Sequence, residues 1–137
     1  MSEQTKTSVT AIVEKASDGG YSCYVQEDLD GFGLSGYGDT AREAISDLML
    51  TYKEIKEIRA AEGLETPELD ISFQYDMPSF FDYFSYLNIS RIGELAGINP
   101  SLLRQYASGA AKAGQKQYEK MSNAVKHIIR DLSVSHF

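Results

Sequence analysis

Between Asn88 and Tyr106 the chain reads NISRIGELAGINPSLLRQY, and this stretch leaves little freedom in how it folds. Asn88 can cap a first short helix that places Ile92 and Leu95 on one side and the small Gly93 where another helix must come close. Gly97 ends that helix, because glycine reaches the left-handed conformation such a turn needs. Ile98 then plugs the corner, and Asn99-Pro100 supplies an N-cap with proline at the first position of a second helix. Leu103 and Tyr106, three apart, face inward with Ile98, so Ser101, Arg104 and Gln105 point away from the core. The stretch predicts a helix-turn-helix, with those three outward residues placed to meet DNA.

Charge distribution bears on that expectation. The chain carries a net charge of −7 over 137 residues, which would repel nucleic acid if it were uniform. It is segregated. Residues 1–77 hold sixteen Asp or Glu against six Lys or Arg, whereas residues 78–137 hold four against seven. A basic half that contains the two-helix motif can collect phosphates, and an acidic half suits a basic partner protein. Hydrophobic content of 42% with 24% charged is that of a folding chain. The length suits two small domains, since domains run from roughly 50 to 250 residues. No apolar run nears the roughly 18 residues that cross a bilayer, and the opening MSEQTKTSV has no apolar leader core, so a cytoplasmic protein with no membrane association is expected. The single Cys23 excludes an intramolecular disulfide and reads as a small core residue.

Upstream of the motif the pattern has period two. Val9–Lys15 and Tyr21–Gln26, joined through Asp18-Gly19-Gly20, predict a β-hairpin, with Tyr21, Cys23 and Val25 sharing one face. Phe32–Tyr37 reads as a third strand whose Gly33 and Gly36 mark a bulge or a close backbone approach. Thr40-Ala41-Arg42-Glu43 is a capping box, and Ala41, Ala44, Ile45, Leu48, Met49, Tyr52 and Ile55 form the apolar stripe of a long helix that stops at Gly63. Leu69–Phe73 alternates as a fourth strand. The order β-β-β-α-β defines an α+β domain over residues 1–77, followed by an all-α domain over 78–137, with Asp76-Met77-Pro78 at the boundary. Ser79–Asp82 is expected to cap a helix burying Phe81, Phe84 and Leu87, and the aromatic run around it reads as core rather than as a stacking platform. Gln115–Leu132 is a final helix whose Tyr118, Met121, Val125, Ile128 and Leu132 make a stripe longer than a small domain buries, so part of it is expected to pack across a two-fold axis in a homodimer or higher homo-oligomer.

Two resemblances meet here. The spacing of Gly93, Gly97, Ile98, Leu103 and Tyr106 resembles the helix-turn-helix of lambda-repressor-like regulators. The segment GYSCYVQEDLDGFGLSGYGDTAREAISDL, Gly20–Leu48, resembles the HicB antitoxin family in its Gly-Tyr strand, Gly31 after an acidic-leucine turn, and Gly38-Asp39-Thr40 with Glu43-Ala44 opening a helix. That resemblance implies a degenerate ribonuclease-H-like domain ahead of a DNA-binding domain. It also implies an antitoxin that masks a HicA-type ribonuclease toxin and represses its own operon. The sequence departs from the family pattern at Asp28 and Phe32 around the turn before strand three, and at Ala113-Gly114 ahead of the last helix.

The expected DNA contacts are Asn99, Ser101, Arg104 and Gln105 on the second helix, joined by Arg91, Ser108, Lys112 and Lys116 and by backbone amides at both helix starts. Gln105 matches adenine and Arg104 guanine or a phosphate, in bidentate geometry. Asp28, Asp30, Asp39 and Glu43 are the one carboxylate set worth weighing as a two-metal nuclease site, but two lie in a turn, two serve a helix start, and none lies in the first strand. His127 and His136 have no nucleophile or acid at a spacing that makes a triad. No enzymatic activity and no cofactor are expected. The alternatives are a DNA-binding regulator without a toxin and, behind it, a metal-dependent ribonuclease-H-like nuclease.

Overall fold

The computed structural model describes residues 6–137. Residues 1–5, part of the stretch read as lacking a leader, lie outside the described residues. Among the described residues the architecture is mixed α+β, with one four-stranded sheet and five helices, and packing divides it into two units between Tyr83 and Phe84.

In the first unit, β1 (Thr7–Lys15) and β2 (Tyr21–Val25) form the expected antiparallel hairpin, with Ala11 opposite Val25 and Val13 opposite Cys23. Ala11, Val13, Tyr21 and Cys23 are buried together. β3 is shorter than the pattern indicated, Ser35–Gly38, and pairs with β2. The reason for its glycines is close approach. A Cβ on Gly36 would collide with Ala44 O and Leu48 N of α1 (Ala41–Ala61), so the strand lies directly against the helix backbone, whereas Gly33 has open space. α1 begins at its capping box. The Glu43 amide donates to Thr40 Oγ1 at 3.1 Å, while the Glu43 carboxylate accepts from the Asp39 amide at 2.9 Å, one residue earlier than the standard box. Ala41, Ala44, Leu48 and Tyr52 are the buried stripe, and Met49 instead lies outward.

β4 (Leu69–Tyr75) is longer than expected and joins β1 in parallel, giving the strand order β3-β2-β1-β4 with α1 as the crossover. Arg59 holds the loops around this crossover. Its guanidinium donates to Asp30 O, Asp30 Oδ2, Glu65 O and Thr66 Oγ1 at 2.6–3.1 Å and lies over the Phe32 ring.

α2 (Met77–Tyr83) corrects two expectations. Its cap is Asp76, which accepts from the Ser79 amide at 2.9 Å, and Ser79 is not a cap but a fully buried residue whose hydroxyl donates to Val13 O at 2.7 Å. Asp82 accepts from the Ala41 amide at 2.8 Å, and Arg42 stacks over Tyr83. These bonds tie α2 to the sheet and to α1, so the division by packing falls after Tyr83 rather than at the 77/78 shift in composition.

The second unit contains α3 (Ile89–Ala96), α4 (Pro100–Ser108) and α5 (Gln115–Ser133). Ile92, Ile98, Leu103, Tyr106, Met121 and Ala124 are its buried apolar residues. Leu103 is completely enclosed, a burial that stabilises by about 2 kcal/mol. Among the described residues no helix is long and apolar enough to cross a membrane.

Candidate nucleic-acid interface

The α3–α4 pair is built as its sequence dictates. Asn88 Oδ1 accepts from the Arg91 amide at 3.0 Å, fixing the start of α3. Gly97 takes φ 74°, and the Ile98 amide donates to Gly93 O at 2.9 Å, closing the helix in a left-handed cap. Gly93 is small for a reason of contact: a Cβ there would stand 2.9 Å from Ile98 O and 3.3 Å from Pro100 Cα. Three residues, Gly97 to Asn99, separate the helices. Leu95, expected to face inward, is 45% exposed, because Ile92 and Gly93 already occupy the face against α4. It lines a shallow pocket with Ala96, Lys120, Asn123, Ala124 and His127 of α5.

With Leu103 and Tyr106 buried, Ser101, Arg104, Gln105 and Ser108 are exposed at steps of three and four, which places them on one face of α4. Arg104 Nη1 donates to Ser90 Oγ at 2.7 Å. Ser90 is thus a positioning residue that sequence reading missed, since a partner fourteen positions away in another helix leaves no periodic signal. Only one of the five guanidinium N–H groups is used in that bond.

Asn99 is a cap first. Its Oδ1 accepts from the Ser101 amide at 2.9 Å and the Leu102 amide at 3.4 Å, which leaves the side-chain NH2 as its outward group. The same bonds correct the expectation that the amides at the start of α4 are open to phosphate: Pro100 has none, and the next two are taken. At α3, Asn88 engages Arg91 alone, so the amides of Ile89 and Ser90 keep the free character of a helix start.

The other expected cationic contacts lie on different elements of the unit. Arg91 is exposed and 3.6 Å from Glu94. Lys112, between α4 and α5, and Lys116, in the first turn of α5, are exposed. Ser108 accepts from the Ala110 amide at 3.3 Å and donates to Gln105 O at 3.1 Å, so it closes the end of α4. None of α3, α4 and α5 carries an acidic residue in its first turn. Residues 84–137 hold seven Lys or Arg against three Asp or Glu.

In the first unit the four weighed carboxylates are not assembled. Asp30 is engaged by Arg59, Glu43 bonds the Asp39 amide, and among the described residues no group of three or more His, Cys, Asp or Glu is placed to hold a metal ion. His127 is exposed and 3.3 Å from Asp131, its neighbour one turn on. Comparison of the chain with family models, with curated proteins and with solved structures gives no match.

Proposed function

We propose that this chain is a HicB-like antitoxin and transcriptional autorepressor, which binds operator DNA through the α3–α4 helix-turn-helix and neutralises a HicA-type ribonuclease toxin through its N-terminal α+β unit. The observation that carries the DNA reading is the outward face of α4, where Ser101, Arg104 and Gln105 stand exposed on a helix fixed by its Asn99 cap and by close packing over Gly93. A rigid helix presenting Arg and Gln at adjacent positions suits the major groove, whose guanine and adenine edges match those side chains bidentately. Surrounding electrostatics support it. The unit is basic, and the start of α3, free of acidic side chains and with the Ile89 and Ser90 amides uncapped, keeps its positive dipole end for a phosphate.

The repressor acts as a dimer in this reading. Ile129 and Leu132 of α5 are 60% and 67% exposed, an apolar continuation of the buried row that a second copy would cover. A mass by light scattering that stays monomeric at every concentration would remove the dimer.

The deciding experiment is fluorescence anisotropy of the full chain with its own upstream DNA and a shuffled control, at two salt concentrations. Tight, salt-sensitive binding to the native fragment alone is expected. Equal weak binding to both fragments would overturn specific repression. Specific binding in the absence of any adjacent small basic toxin gene would leave a regulator without a toxin.

A further inference from the structure

The two edges of the sheet are finished differently. β3, at one edge, is short, and the Tyr37 amide donates to Asp47 Oδ2 of α1 at 2.9 Å. An edge blunted in this way does not recruit another strand. β4, at the other edge, runs Leu69–Tyr75 with no proline, no lysine and no break in its register against β1. Its ladder opens with the Thr7 amide donating to Glu68 O at 2.8 Å and closes with the Asp76 amide donating to Val13 O at 3.1 Å, which assigns the even-numbered residues to the bonds with β1. Strand alternation therefore turns the amides and carbonyls of Leu69, Ile71 and Phe73 away from β1, with the Leu69 amide directed to the Tyr52 hydroxyl and those of Ile71 and Phe73 outward. Among the described residues no strand pairs with them. Their side chains are only half-buried on the core face, while Asp70, Ser72 and Gln74 are exposed on the other face.

Charge decides what can add to this edge. From Arg59 to Arg91 the chain has no intervening Lys or Arg, and Glu62, Glu65, Glu68, Asp70, Asp76 and Asp82 fall in that interval. Of these, Glu68 and Asp70 are exposed beside the strand, with Lys56 4.0 Å from Glu68, whereas Asp76 is bonded to the Lys15 and Ser79 amides. A strand that alternates apolar residues with Lys or Arg fits both faces at once. Its apolar side chains cover the half-exposed Leu69, Ile71 and Phe73, and its cations lie beside Asp70.

We propose that the free edge of β4 is a docking site for an extended segment of a partner protein in which apolar residues alternate with Lys or Arg, adding a fifth strand to the sheet. Main-chain bonds supply the attachment, and the two side-chain rows select the partner. This inference goes beyond the toxin and operator readings and needs neither, since it stands on the sheet edge and its charge.

The test uses the isotope-labelled full chain with two short synthetic peptides, one alternating valine with lysine and one alternating valine with glutamate, followed by amide hydrogen exchange. The lysine peptide is expected to slow exchange at Ile71 and Phe73 by about tenfold or more at saturation, with little change at Asp70 and Ser72, whose amides already face β1. The glutamate peptide is expected to leave all of them unchanged. Asp70→Lys, at an exposed position outside the core, is expected to weaken the lysine peptide by up to about tenfold. No slowing at the Ile71 and Phe73 amides with the lysine peptide, or equal slowing by both peptides, would overturn the proposal. So would the same two amides becoming protected as protein concentration rises without peptide, which would assign the edge to a second copy.

Discussion

Asp18, in the tight loop of the first hairpin, has its two carboxylate oxygens engaged by different partners: Oδ1 accepts from the Gly20 amide at 2.9 Å and Oδ2 from the Tyr37 hydroxyl at 2.7 Å. The Gly20 amide first, and the Tyr37 hydroxyl second, hold the Asp18 carboxyl below its ordinary 3.8, and the same bond raises the Tyr37 phenol above 10.0. The signs set opposite limits. Asp18's contribution to stability is present above pH 3.8 and is lost as pH falls through the lowered native value; Tyr37's is present below pH 10 and is lost as pH rises through the raised one. Tyrosine ultraviolet titration should place Tyr37 above its ordinary value, and Asp18→Asn should bring it back toward 10; an unmoved titration would show that the bond does not persist in solution. Cys23 offers a second check at this scale. Complete burial pushes its thiol up to about 11, so almost no thiolate is present near neutrality. The native protein at pH 8 should resist a thiol-alkylating reagent that modifies it promptly in urea, and prompt native labelling would contradict this packing.

For the elements, packing decides where local preference is ambiguous, and Gly93 shows how. In an open helix, glycine to alanine gains about 1 kcal/mol of helix propensity. Here the added methyl would stand 2.9 Å from Ile98 O, on backbone that cannot swing aside, and overpacking of that kind costs about 1–3 kcal/mol. Gly93→Ala should therefore lower stability by about 1 kcal/mol net in urea unfolding, whereas Gly33→Ala, in open space, should change it by less than about 0.5 kcal/mol. A stabilised Gly93→Ala would mean the two helices do not meet there. The caps at Asn88, Thr40 and Asn99 and the turn at Gly97 were legible because each depends on neighbours within four residues. What was not legible depends on distant ones. The parallel pairing of β4 with β1, the use of Arg59 on Asp30, the seat of Ser79 under Val13 and the bond from Ser90 to Arg104 all join positions whose spacing follows no helical or strand period. Leu95 was misplaced for a related reason: helical spacing names a face, but the close approach at Gly93 decides which part of that face is covered.

Across the whole molecule, charge separates what the two units can bind. The first unit is acidic and the second basic, so under the two proposals each would be selective against the other's ligand. The proposed DNA contacts then divide by role. In the proposed complex Gln105, exposed on the outward face of α4, is the base reader, and Lys112, exposed beyond the end of that helix, is a phosphate contact. Gln105→Ala should cost about 1–3 kcal/mol on the upstream fragment and little on shuffled DNA, because the lost pair exists only at the matched base. Lys112→Ala should weaken both fragments alike and flatten the dependence of log affinity on log salt by about one unit, since one fewer counterion is released. Anisotropy titrations of the two variants across a salt series separate these outcomes. Equal losses for Gln105→Ala on both fragments would reassign that residue to the backbone, and an unchanged slope for Lys112→Ala would place the DNA on a different face of the helical unit.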